Sequence, residues 1–172
     1  MNIPAFLLAT FLAAACLGSQ PTVLAESQIT AEVIHDVEPL PAQLWSDEEA
    51  EILAKMLWGE ARGVTSDTEK AACVWCVLNR VDHGQGTITS VVTSPNQFAG
   101  YHANNPVDED LITLCIDVLY RWYAEKDGQT DVGRVLPNEY LFFSGDGKRN
   151  YFRNAYKGGT VWNWSLPSPY AS

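Results

Sequence analysis

The chain is poor in cations. Among 172 residues it carries 11 Lys and Arg against 21 Asp and Glu, a net charge of −10. Neutralising a nucleic-acid backbone takes clustered Lys and Arg, so no nucleic-acid partner is expected. Cysteine is scarce too, with four in the whole sequence. Cys16 lies in an apolar leader, which leaves Cys73, Cys76 and Cys115. That odd number does not suit a disulfide framework. The three histidines, His35, His83 and His102, are scattered without ligand spacing, and no metal or other cofactor is expected. There is no internal repeat and no low-complexity tract. The one long apolar run, residues 3–17, is shorter than a membrane span.

That run, IPAFLLATFLAAACL, is followed by the small residues of Val23-Leu24-Ala25 before Glu26. Residues 1–25 therefore read as a secretory signal peptide, with an uncleaved anchor as the alternative and a lipoprotein site at Cys16 as a minor option. Residues 26–45 lack a sustained period and carry Pro39 and Pro41, so they read as a linker. The domain is expected to occupy 46–172.

Ser46 and Glu49 form a capping-box pattern, and Gly63 offers a stop. Ser66 and Glu69 repeat the pattern before Ala71, Val74, Trp75, Leu78 and Val81, with Gly84 as the stop. A short helix is expected at Ile88 to Val92, before Pro95. A long one is expected from Asn105-Pro106 to Gly128, carrying Leu111, Leu114, Cys115, Val118, Leu119 and Trp122. Glu139 to Ser144 has strand composition, Gly145-Asp146-Gly147 signals a turn, and Asn150-Tyr151-Phe152 offers a partner strand. The expected fold class is α+β: a mainly helical lobe with a small aromatic-rich β or loop lobe.

The informative anomaly is Glu60. Ile52, Leu53, Met56 and Leu57 form an apolar stripe, and Glu60 is its next member, three residues after Leu57 and four after Met56. A carboxyl on a buried face resists ionising and can serve as a proton donor. The alternative is a solvated carboxylate at a fraying helix end, paired with Lys55 or Arg62.

The segment Glu51-Ile52-Leu53-Ala54 through Gly59-Glu60-Ala61-Arg62-Gly63 resembles the opening motif of bacterial cell-wall hydrolases of the spore-cortex-lytic-enzyme type. Ala71-Ala72, Val74 and Val77-Leu78-Asn79-Arg80-Val81 are similar to the second motif of that family, and Gln97-Phe98 to the third. Tyr140-Leu141-Phe142-Phe143 and Asn150-Tyr151-Phe152 resemble the segment that closes the groove. The likeness runs from about Glu51 to about Trp164. It implies a lysozyme-like fold and lytic transglycosylation of the peptidoglycan glycan strand by a secreted, wall-associated monomer. Glu60 matches the family's catalytic glutamate. It would protonate the glycosidic oxygen after N-acetylmuramic acid, then take the proton of that sugar's own 6-hydroxyl, leaving a 1,6-anhydro end. One acid suffices, because the nucleophile belongs to the substrate. Many relatives carry an acid directly after the Gly of the first motif, where this chain has Val64.

An ordinary glycosidase uses two carboxylates. Asp67, Asp82, Glu139 and Asp146 are available, and spacing selects none of them. Candidate substrate contacts are Arg62, Gln97, Phe98, Tyr140, Tyr151 and Trp164, the aromatic ones through ring faces that suit sugar rings. Structural roles compete for each: helix capping for Arg62, core burial for Phe98 and most of the aromatics. Asn79 and Arg80 read as structural. The Cys73–Cys76 pair lies inside a helix, away from the N-terminus that would activate a thiol, and reads as buried apolar cysteine. Two rivals remain open: a muramidase hydrolysing the same bond, and a non-catalytic wall-binding module.

Overall fold

The computed structural model describes residues 44–170, all within one unit, Leu40–Ser172. The signal-peptide assignment and most of the linker lie outside the described residues. The end of the linker belongs with the domain, since Trp45 already stacks on Tyr123 with ring centroids 6.0 Å apart.

Four helices come first: α1 (Asp47–Ala61), α2 (Asp67–Asp82), α3 (Ile88–Thr93) and α4 (Glu109–Lys126). A two-stranded antiparallel sheet follows, β1 (Phe142–Gly145) with β2 (Asn150–Arg153). The architecture is α+β. Among the described residues, no helix is long and apolar enough to cross a membrane.

The helix starts follow local chemistry. Ser46 and Glu49 form a capping box on α1, and Thr87 and Ser90 form one on α3. Ser94, the residue before Pro95, is extended and ends α3. Helix α4 begins later than Asn105-Pro106 predicts, because Asp108 takes the cap by accepting from the N–H groups of Asp110 and Leu111. Asn105 is recruited elsewhere: its Nδ2 donates to the carbonyls of Lys55 and Gly100.

Helix α2 is the hub. Every residue from Ala71 to Arg80 is buried, so it carries no solvent stripe in that stretch, where a single apolar face was expected. Trp75, Leu78, Val74 and Val77 meet Leu53, Met56 and Leu57 of α1 and Val118 and Leu119 of α4 in one core. Cys73, Cys76 and Cys115 are buried within it as free thiols.

The last turn of α2 ties the helices to the segment leading into β1. Asn79 Nδ2 donates to the carbonyls of Pro137 (2.9 Å) and Tyr140 (3.0 Å), and its Oδ1 accepts from Arg134. Arg80 Nε donates to Leu141 O at 2.6 Å. Each of these buried polar atoms would cost about 1–3 kcal/mol if left unpaired.

The hairpin pairs Phe143 with Phe152 and Ser144 with Tyr151. Its buried face carries Phe152 and Asn150. Strand β1 starts at Phe142 rather than at Glu139, because residues 137–141 are spent on the contacts with α2.

Candidate active site around Glu60

Glu60 occupies the last turn of α1 (Asp47–Ala61), on the stripe of Ile52, Leu53, Met56 and Leu57, all of which are buried. Glu60 itself is half-buried, so the carboxyl sits at the edge of the core and not inside it. The backbone N–H of Gly100 donates to its Oε1 at 2.7 Å. The cations that the alternative reading would pair with it are engaged elsewhere. Lys55 pairs with Glu51, and Arg62 Nη1 donates to the carbonyls of Trp58 and Gly59 at the end of the helix. Among the described residues Glu60 takes part in no ion pair.

The support depends on two glycines. A Cβ at Gly59 would fall 1.8 Å from Gly100 O, and a Cβ at Gly100 would fall 2.5 Å from the Gly59 carbonyl group. Backbones touch there because neither residue has a side chain. Asn105 completes the clamp, since it donates to Gly100 O at 2.8 Å and to Lys55 O at 3.0 Å. Gly100 is thus gripped through its N–H by Glu60 and through its C=O by Asn105. On the other side, the hairpin turn comes down on the end of α1, where a Cβ at Gly63 would meet Gly147 O at 2.7 Å. Gly63 serves this close approach and has no left-handed φ.

The carboxylates weighed as a second acid have structural partners, with one exception. Asp67 pairs with Lys70, and Asp82 accepts from Trp122 and Lys126. Asp146 accepts from the N–H groups of Lys148 and Arg149, which hold its carboxyl below the usual range. Glu139 is exposed.

Sequence reasoning missed Glu69. Its N–H is capped by Ser66 as expected, but the carboxylate does not return to close the box. It turns under the hairpin instead, where the Asn150 backbone N–H donates to it. Burial raises its pKa above the usual carboxylate range, while the Asn150 bond and Arg149 oppose that shift. The Asn150 side chain in turn donates to Cys73 Sγ at 3.6 Å. Burial drives the Cys73 thiol well up, helped by Cys76, Glu69 and Glu60, so both carboxylates act on the same buried sulfur. Burial pushes the Cys76 thiol up to about 12, which does not suit a reactive thiolate.

The remaining candidates separate cleanly. Phe98 is buried, with Arg80 over its ring at 5.0 Å and Phe143 at 5.9 Å, so it anchors the core and offers no free face. Tyr140 is buried against Trp162 at 5.4 Å and is corrected in the same way. Arg62 serves as a helix cap. Gln97 is exposed, with Oε1 accepting from Arg80 Nη1 at 2.8 Å. Tyr151 and Trp164 present open surface, 43% and 40% exposed. Tyr151 donates to Asp146, and Trp164 packs edge-on to Phe152 at 5.6 Å. Tyr156, which the sequence did not single out, is the most open aromatic among the described residues at 78% and leans on Phe142. Among the described residues no group of three His, Cys, Asp or Glu is arranged to hold a metal. In comparison with known proteins, no family model, no curated protein and no solved structure matches this chain.

Proposed function

We propose that the protein cleaves the glycan strand of peptidoglycan by lytic transglycosylation, on a lysozyme-like fold, with Glu60 as the acid and then the base. The observation that carries this reading is a carboxylate without a cation, on an apolar helix face, oriented by the Gly100 N–H. In the first half-step Glu60 gives its proton to the glycosidic oxygen between N-acetylmuramic acid and N-acetylglucosamine, and the bond from that oxygen to the muramic C1 breaks. In the second, the carboxylate takes the proton of the muramic 6-hydroxyl, whose oxygen closes onto C1. Water is not consumed, and Glu60 ends as it began. The open aromatic surface of Tyr151, Trp164 and Tyr156 would supply apolar contact for sugar rings.

Glu69 gives some support to a second reading, hydrolysis by two carboxylates, since it is a buried acid on the neighbouring helix. The products separate the readings. Purified wall digested with the protein is expected to release muropeptides with anhydro ends; reducing ends would mark a muramidase. Glu60→Gln is expected to abolish release while leaving the melting temperature unchanged. Should the wild type release no soluble fragments and yet bind the wall, the protein is a binding module.

A further inference from the structure

Among the described residues Arg80 is the one buried cation, 5% exposed, and it forms no ion pair there. Its guanidinium lies over two rings, with Cζ 5.0 Å from the Phe98 centroid and 5.3 Å from that of Phe142. Its protein partners are a carbonyl (Leu141 O, 2.6 Å), an amide oxygen (Gln97 Oε1, 2.8 Å) and the Cys76 sulfur. All three are neutral, because burial keeps the Cys76 thiol protonated. A guanidinium carries five donors, more than these partners take. Withdrawing a cation from water without a counter-charge is costly, and the usual remedy is an anion hydrogen-bonded to it. In a chain of net charge −10, with acids in excess, none is placed there.

A cavity of about 220 Å3 opens at this point, lined by Arg80, Gln85, Val91, Ser94 and Gln97. That is several times the roughly 30 Å3 a water occupies in the liquid. The wall is polar except for Val91. It also shares a segment with the site around Glu60, since Gln97 lies three residues before Gly100.

We infer that Arg80 and this cavity form a carboxylate-binding subsite for the substrate, an inference that rests on the glycan-cleavage reading for the source of the anion. A carboxylate suits the guanidinium's N–H donors, and those that Leu141, Gln97 and Cys76 do not take are the ones left to bind it. Two substrate carboxylates have this chemistry: the lactyl group of an unsubstituted muramic acid, and an acid of the stem peptide.

The test is an NMR titration of the full chain, following the Arg80 Nε–H signal. N-acetylmuramic acid is expected to shift it, and N-acetylglucosamine at equal concentration is not. Muramoyl dipeptide, whose lactyl group is amidated, supplies the other arm. A shift with the dipeptide and not with the free acid assigns the peptide carboxylate. Equal shifts with the neutral sugar, or none with either acid, overturn the subsite. Gln97→Glu would place an internal carboxylate on Arg80 and is expected to weaken binding of the acidic ligand about tenfold or more; unchanged affinity would also count against it. Glu60→Gln is expected to keep the Arg80 shift while losing muropeptide release. Loss of cleavage with the shift intact thus faults the catalytic role alone, and cleavage without the shift faults the subsite alone.

Discussion

At the residue scale, the orientation of Glu60 depends on what Gly59 and Gly100 do not have. Gly100→Ala places a methyl 2.5 Å from the Gly59 carbonyl group, both of them backbone atoms that cannot swing aside. Overpacking of this kind costs about 1–3 kcal/mol and should part the Gly100 N–H from Glu60. The expected outcome is a lower melting temperature together with at least about a tenfold loss of muropeptide release, beyond what the lost stability explains. A Gly100→Ala protein that melts lower but cleaves normally would remove the N–H from the mechanism. None of this was legible from the chain order. Periodicity selected Glu60 from its own helix, whereas its partner lies forty residues on in a loop without a pattern. Phe98 and Tyr140 were misplaced for a related reason: an aromatic next to a groove motif looks the same whether its ring faces sugar or core.

At the element scale, the helices were readable because caps and stripes are local. The Ser46 box and the Gly84 and Gly128 stops each act within a few residues. Glu69 shows the limit. Its spacing from Ser66 is that of a capping box, and only the arrival of β2 turns the carboxylate away. The consequence is a pH dependence with a definite sign. The pKa of Glu69 is raised in the folded protein, so folding favours its protonated form. Its stabilising contribution is therefore complete below the ordinary carboxylate range and is lost as pH rises through the folded value. Glu69→Gln keeps an acceptor for the Asn150 N–H and removes the titration. The variant should gain melting temperature relative to wild type between pH 4 and pH 7. A difference that stays constant with pH would show that burial of this acid carries no stability cost.

At the scale of the whole molecule, net charge decides how the protein meets its proposed substrate. With −10 on the chain and an anionic wall, approach is opposed by long-range repulsion. Screening shortens that repulsion from about 30 Å at 0.01 M salt to about 10 Å at 0.1 M. Turnover on intact wall is therefore expected to rise with salt over this range, the reverse of a cationic wall enzyme, whereas cleavage of a short neutral glycan fragment should hardly change. A fall with salt on intact wall would mean that local cations such as Arg80 outweigh the global charge. Composition gave this much directly. It could not show that a buried cation, Arg80, would stand beside a cavity, because that depends on where Phe98, Phe142 and Gln97 meet.

The contact between Gly59 and Gly100 also has a bearing on timing. The acid leaves the ribosome first, and its amide donor follows on the far side of the Gly84–Gly86 turn. A nascent or clipped chain ending before that turn would carry the reactive group with nothing to aim it. The proposed cleavage would thus wait until the segment that carries Gly100 has packed against the end of α1.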